Sequence, residues 1–213
     1  MAPAIVKSNR NKERRVKTPT RLAVIYGSTR EGRICDRVVK WLTQELVRFP
    51  QFDIDIIDPL DFALPANRDM THPEIDRLAG RLGMADAFII VTPEYNHSFT
   101  ASLKSIIDFF FEPWQGKPVA FVSYGGISGG LRAVEQLRLV FAELHAVTIR
   151  DSVSFAAPWN RFDTDGRLDN PAEAMRLLDR MMTRLEWWTQ ALVAARSDRP
   201  YTDIERRASF QTR

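Results

Sequence analysis

The sequence contains a single cysteine, Cys35, and three scattered histidines among its 213 residues. One thiol cannot form an internal disulfide, and the histidines lack the close spacing of metal ligands, so we predict neither a disulfide scaffold nor a metal site. No apolar run reaches the roughly 20 residues that span a bilayer, and residues 1–20 hold no apolar stretch of the kind found in secretory signals. These absences predict a cytoplasmic protein that does not contact a membrane.

Basic side chains are concentrated at the start of the chain, where the first 21 residues hold seven lysines and arginines and one glutamate. Because such a segment has too few apolar residues to drive burial, we interpret residues 1–20 as a flexible basic arm. Nucleic-acid binding is not expected, since no basic helix with interleaved aromatic residues follows. Residues 21–195 then form one domain, and residues 196–213 form a polar, arginine-rich tail.

Short apolar runs alternate with longer segments of helical period, a pattern typical of an α/β fold with a parallel sheet. The second run alternates Asp53 and Asp55 with apolar residues and therefore predicts an edge strand, whereas the first run is fully apolar. We predict a doubly wound, five-stranded parallel sheet in the order 2-1-3-4-5, with helices on both faces. The predicted strands are 22–26, 52–57, 87–92, 119–124 and 147–155, and the predicted helices are 34–49, 73–84, 100–111, 129–144 and 171–195.

This strand order places a ligand site where the first and third strands end side by side. The loops after Tyr26 and Thr92 are expected to contact the ligand, with help from the loop after Tyr124. The connections 58–71 and 156–170 are long for a compact domain, which favours lids or binding loops.

The first of these loops, residues 27–33, reads Gly-Ser-Thr-Arg-Glu-Gly-Arg and directly precedes a helix. Its glycines, the hydroxyls of Ser28 and Thr29, and the helix amino terminus suit an anion, to which Arg30 and Arg33 add charge. The loop lacks both the G-x-G-x-x-G and the Gly-Lys-Ser/Thr patterns, so it predicts a monophosphate rather than a nucleoside triphosphate. The alternative is an ordinary turn with solvated arginines.

The second loop, residues 92–98, reads Thr-Pro-Glu-Tyr-Asn-His-Ser. Pro93 stiffens the exit from the strand, Tyr95 offers a flat ring, and Asn96 offers both a donor and an acceptor. These groups and the loop amides could bind the edge of a planar heterocycle. The alternative is that Tyr95 packs in the core and Asn96 caps the next helix.

The third loop, residues 123–130, has four glycines in six residues, so a flat ligand could lie against its backbone. It also contains Gly126-x-Ser128-x-Gly130, the nucleophile-elbow pattern of serine hydrolases. A hydrolase of that type needs an acid and then a histidine after the serine. The one downstream histidine, His145, follows too closely for that order, although a hydrolase using Ser128 remains an alternative.

Taken together, these loops resemble those of the NADPH-dependent FMN reductase family. The resemblance covers about residues 21–155 and includes the Gly-Ser-x-Arg loop, Pro-Glu-Tyr-Asn, Leu103-Lys104-Ser105 leading into Asp108, and the glycine-rich loop, in that order. It implies a flavodoxin-like fold with bound FMN. The phosphate would be held by Ser28, Arg30, Arg33 and the amides near Ile34, and the isoalloxazine would be flanked by Pro93, Glu94, Tyr95 and Asn96 on one side and by Ser123, Tyr124, Gly125, Gly126 and Ser128 on the other.

The resemblance also implies an enzyme that passes hydride from NADPH or NADH through FMN to a flavin, quinone, azo compound or metal oxyanion, with no obligatory side-chain base. Arg68 and Arg132 are candidate contacts for the nucleotide phosphates. A homodimer or homotetramer is expected, since large apolar residues crowd residues 106–114 and 181–188. A partner monooxygenase could take up the reduced flavin. The alternative within the same fold is an electron carrier that does not oxidise nucleotides.

Overall fold

The computed structural model describes residues 20–65, 67 and 69–204, in which five strands alternate with five α-helices. The predicted basic arm lies outside the described residues, apart from Thr20, and so do Arg68 and the last nine residues of the predicted tail. The strands are β1 (Thr20–Tyr26), β2 (Phe52–Ile57), β3 (Ala87–Pro93), β4 (Pro118–Gly125) and β5 (Val147–Ala156), and the helices are α1 (Cys35–Leu46), α2 (Pro73–Met84), α3 (Ala101–Phe109), α4 (Leu131–Glu143) and α5 (Ala172–Asp198).

All four strand pairings are parallel, and the sheet order is β2-β1-β3-β4-β5, as predicted. The edge strand β2 carries its acidic residues at the surface. The side chain of Asp53 is 61% exposed and pairs with Arg21, and Asp55 pairs with Arg81. Strand β3 is buried along its whole length, in keeping with its position at the centre of the sheet.

Helices cover both faces of the sheet and divide the core into two clusters. Alternate residues of β1 point to opposite faces, so Leu22 and Val24 pack with α1 and α5, whereas Ala23 and Ile25 pack with α2, α3 and α4. The helices begin and end within a few residues of the predicted bounds, and α5 runs three residues further, to Asp198. No helix of the described ranges is long and apolar enough to cross a membrane.

The connection that follows β5 is folded onto the core. Phe162 is buried, with its ring 4.9 Å from that of Phe155, and it forms an antiparallel bridge with Leu168. The N–H of Ala157 donates to the carbonyl of Gly125 at 2.8 Å, which ties the start of this connection to the end of β4. The segment is therefore a fixed wall beside the carboxyl ends of the strands.

Candidate functional site

The three loops singled out in the sequence meet at the carboxyl edge of the sheet and enclose a cavity of about 450 Å³. The connection after β5 closes a fourth side. The lining residues are Arg30, Glu31, Gly32, Arg33, Ile34, Pro93, Glu94, Tyr95, Tyr124, Gly125, Gly126, Pro158 and Trp159.

Most of the residues predicted to bind FMN line this cavity, and four of them do not. Ser28 and Asn96 line a neighbouring cavity of about 630 Å³ that shares Arg30, Glu94 and Tyr95 with the first. Ser123 and Ser128 line neither cavity, because their hydroxyl groups are used to hold the glycine-rich loop. These two serines therefore stabilise the glycine-rich loop through their hydrogen bonds to Gly129 and Glu94.

The first loop is fixed by backbone contacts to β3. The N–H of Gly27 donates to the carbonyl of Val91 at 2.7 Å, and a Cβ at Gly27 would lie 2.7 Å from that same oxygen, so no larger residue fits. Thr100, which caps α3, donates its hydroxyl to the carbonyl of Gly27. Because Thr100 caps this helix, the alternative interpretation of Asn96 as its cap is wrong.

Arg33 is buried within the loop rather than solvated. Its side chain is 8% exposed, pairs with Asp58 and Asp36, and donates to the carbonyl of Ser28 at 2.6 Å. Hydrogen bonds to Asp58 are the main reason that the pKa of Arg33 is raised. The guanidinium thus stabilises the loop from inside, and its charge is already balanced by two carboxylates.

Arg30 differs, since none of the described carboxylates forms an ion pair with it. Its guanidinium lies 5.9 Å from the centre of the Tyr95 ring, at the boundary between the two cavities. Its backbone N–H donates to the buried hydroxyl of Ser28 at 3.3 Å, which shapes the turn. Arg30 is therefore the cation of this loop that is available to an anionic ligand.

The second loop contains a tight turn from Tyr95 to Ser98, closed by backbone hydrogen bonds of 2.9 and 3.0 Å. Both central residues, Asn96 and His97, have positive φ angles, of 50° and 66°. The ring of Tyr95 is 39% exposed, so the alternative that placed it in the core is wrong. Asparagine tolerates this left-handed conformation, but histidine does so at a cost.

We expect the substitution His97→Gly to raise the free energy of unfolding by about 0.5 to 1 kcal/mol, because glycine adopts positive φ without a Cβ penalty. Urea denaturation measures this difference. Ser98→Gly is the matched control, since Ser98 is not among the residues with positive φ and its change is expected to destabilise the protein. Equal effects of the two substitutions would show that the turn stores no strain.

Glu94 connects the second loop to the third. Its carboxylate is 8% exposed and accepts the Ser128 hydroxyl at 2.5 Å and the N–H of Arg132 at 3.1 Å, while the Arg132 guanidinium lies 3.3 Å away. The carbonyl of Gly129 accepts hydroxyls from Ser123 and Ser154, both at 2.9 Å. The glycine-rich loop is thus held from both sides, and its exposed residues are Gly126 and Ile127.

The nucleophile interpretation of Ser128 is wrong. Its hydroxyl donates to the carboxylate of Glu94. His145 precedes β5, and its carbonyl accepts the N–H of Gly116 just before β4, so it lies at the opposite edge of the sheet. A serine protease-like relay therefore cannot form here.

Pro158 and Trp159 line the cavity but were not predicted as site residues. The length of the 156–170 connection pointed to a binding loop, yet nothing in its composition indicated which residues face the ligand. Ala157, with φ of 46°, turns the chain so that Trp159 reaches the cavity, where it stays 55% exposed.

Cys35 lies at the start of α1 beneath the site and is fully buried, with its thiol 3.6 Å from the carbonyl of Val91. Burial raises the pKa of the thiol to about 12, so the thiolate is absent at neutral pH. We expect no reaction with Ellman's reagent in the native protein and one reacting thiol after denaturation in guanidinium. Rapid labelling of native protein would contradict this burial.

The site combines an available cation, flat backbone and aromatic walls, which suits a planar ligand with an anionic end. A Cβ at Gly126 would meet no atom within 4 Å, so open space adjoins the backbone of this lining residue. The described residues contain no cluster of three side chains able to ligate a metal.

Comparisons with known proteins point to one kind of ligand. The family model described as NADPH-dependent FMN reductase matches residues 20–160. An NAD(P)H-dependent FMN reductase of Schizosaccharomyces pombe is 31% identical over 128 residues, which cover 55% of this chain and 64% of the yeast protein. The chain thus spans less than two thirds of that relative. A probable NADPH:quinone oxidoreductase of Oryza sativa is 32% identical over 76% of this chain and 86% of its own length.

The fold is also found among solved structures. The flavoenzyme NAD(P)H:(acceptor) oxidoreductase of Paracoccus denitrificans superposes with a TM-score of 0.65 at 22% identity, covering 80% of this chain and 98% of that protein. At this identity the likeness establishes the shared flavodoxin-like architecture.

Proposed function

The chain belongs to the NADPH-dependent FMN reductase family, and on that premise we propose that it binds FMN at the carboxyl edge of the sheet and passes reducing equivalents from NAD(P)H to a small-molecule acceptor. The observation that carries this proposal is the cavity formed by the three loops, whose lining includes both the cation Arg30 and the glycines Gly125 and Gly126.

Arg30 is the residue proposed to bind the FMN phosphate, together with the amides at the start of α1 near Ile34. A helix amino terminus stabilises a phosphate through unpaired N–H groups and its dipole. Ser28 and Arg33 are proposed to act by holding the loop, since the hydroxyl of Ser28 accepts the N–H of Arg30 and Arg33 binds the carbonyl of Ser28. Arg30 therefore supplies the charge, and its neighbours supply the shape.

Pro93, Tyr95 and Gly125–Gly126 are proposed to flank the isoalloxazine, largely through backbone groups. When bound, FMN supplies the hydride chemistry, and the protein supplies position and electrostatics. Glu94 joins the second loop to the third through its contacts with Ser128 and Arg132. The width of the cavity between these two loops therefore depends on Glu94. No side-chain base is required.

Arg132 is proposed as a contact for the phosphates of the electron donor, with its guanidinium 40% exposed beside Glu94. Arg68, the other candidate, lies outside the described residues. The acceptors consistent with the family are a flavin, a quinone, an azo compound or a metal oxyanion, and either NADPH or NADH is the donor.

The chain is also proposed to form a homodimer or homotetramer. Most of the apolar residues that suggested an interface, among them Trp114, Met181 and Met182, are buried in the core of one chain. Those that remain on the surface are Phe111, which is 42% exposed, and Trp187, which is 64% exposed and has Trp188 beside it on α5. Sedimentation at micromolar concentration tests this, and a 24.4 kDa species would contradict it.

The test of the proposed function is an absorption spectrum of the protein after incubation with FMN, recorded before and after the addition of excess NADPH or NADH under anaerobic conditions. Bleaching of the flavin bands is expected. Uptake of FMN without bleaching by either nucleotide would indicate an electron carrier instead, and failure to take up FMN would remove the proposal.

A further inference from the structure

We propose that Trp159 forms an aromatic wall for the electron acceptor and makes the site selective for planar aromatic acceptors, such as quinones, over metal oxyanions. This inference rests on the proposed function and narrows its acceptor class.

The position of Trp159 is the first argument. It lines the same cavity as Tyr95, so two exposed aromatic rings border one ligand space. Large aromatic side chains are usually covered, and those left exposed beside a cavity are typical of ligand contacts. An aromatic acceptor that stacked on Trp159 would cover surface that otherwise faces water.

The rigidity of the supporting loop is the second argument. Ala157 holds a left-handed conformation, which is unfavourable for alanine, and is tied to Gly125 and to the carbonyl of Gly126. Three residues beyond Trp159, the ring of Phe162 is buried against Phe155 and Trp41. Strained backbone conformations persist mainly where they serve a functional site, so the strain at Ala157 indicates that the position of the Trp159 ring is functionally important. Trp159 is thus presented in place before any acceptor arrives.

The charges around the cavity are the third argument. A metal oxyanion requires a cation whose charge is not already balanced. Of the two arginines that line the cavity, Arg33 is paired with Asp58 and Asp36, and Arg30 is the residue proposed to bind the phosphate of FMN. The lining also contains Glu31, whose carboxylate forms no ion pair with the described residues and repels anions. An uncharged quinone has no such requirement.

The net reaction balances without a further reactant. NAD(P)H gives up a hydride, which carries two electrons and one proton, and becomes NAD(P)⁺. The quinone takes up two electrons and two protons and becomes the hydroquinone, with the second proton coming from solvent.

Steady-state kinetics with two acceptors tests the proposal. The FMN-loaded wild type, Trp159→Ala and Trp159→Phe are compared with menadione and with chromate at saturating NADPH. We expect Trp159→Ala to raise the KM for menadione about tenfold relative to the KM for chromate, because stacking and apolar contact with the aromatic acceptor are lost. Trp159→Phe keeps an aromatic ring and should retain most of the affinity for menadione.

The matched control is Trp187→Ala, which removes an equally large exposed ring that does not line this cavity. It should leave the ratio of the two acceptors unchanged, since a change in assembly would affect both acceptors alike. An unchanged menadione KM in Trp159→Ala, an equal loss with both acceptors, or a wild type that prefers chromate would overturn the inference.

Anaerobic reduction of the bound flavin by NADPH separates this inference from the proposed function. If NADPH reduces the wild-type flavin but Trp159→Ala uses menadione normally, the inference about Trp159 is wrong and the proposed reductase function is retained. If FMN is not taken up or not reduced by NADPH, both proposals fail together.

Discussion

Replacing Arg30 by alanine is expected to weaken FMN binding about 100-fold, or about 2.7 kcal/mol. Arg30 is the basic residue of the cavity lining whose charge no described carboxylate balances, so its loss removes a charge-assisted contact to the phosphate. Titration of the apoprotein with FMN, followed by quenching of flavin fluorescence, measures the dissociation constant.

Riboflavin, which lacks the phosphate, provides the sharpest control for this prediction. Arg30→Ala should bind riboflavin as the wild type does, since the two proteins would differ only in a contact to phosphate. Arg176→Ala, which removes an exposed arginine on α5, should leave both affinities unchanged. Equal losses for FMN and riboflavin would mean that Arg30 shapes the cavity and does not bind the phosphate.

The substitution Gly130→Ala is expected to lower the free energy of unfolding by about 3 kcal/mol or more. Gly130 has a φ of 89°, and a Cβ there would lie 2.7 Å from both the Ser123 Cβ and the backbone nitrogen of Tyr124. Neither neighbour can move, because both belong to β4, an interior strand of the sheet. The expected result is a large decrease in the midpoint of urea denaturation.

Gly80→Ala is the control for this substitution. Gly80 lies within α2, where an added Cβ meets nothing within 4 Å, so the greater helix propensity of alanine should stabilise the protein by about 0.5 to 1 kcal/mol. The two glycine-to-alanine changes thus have opposite signs. A Gly130→Ala protein as stable as the wild type would show that the glycine-rich loop is held less tightly than its contacts indicate.

The sheet and the location of the site were predictable because they depend on local signals. Continuous apolar runs mark buried strands, Asp53 and Asp55 mark an edge, and loops that follow parallel strands meet at one edge. The pairing of Arg33 with Asp58 was not predictable, since the two residues are 25 positions apart and are joined only by the packing of β1 against β2. The sequence therefore indicated the positive charge of Arg33 but not the carboxylates that balance it.

The contribution of Trp159 was hidden for a related reason. Its direction depends on the left-handed backbone at Ala157 and on the burial of Phe162, and neither leaves a periodic pattern in the sequence. The role of Ser128 was obscured by a misleading motif, because a glycine-serine-glycine spacing is also produced by a turn whose serine binds a carboxylate.

The charged edge strand β2 has a consequence for how copies of this chain can associate. A free strand edge offers unpaired backbone groups to any other strand, and charged side chains along it discourage that pairing. Here Asp53 and Asp55, with Arg21 and Arg81, would have to be brought against the same residues of a second copy. Continuation of the sheet across the β2 edge is therefore disfavoured, and this also discourages the stacking of copies into fibrils through that strand.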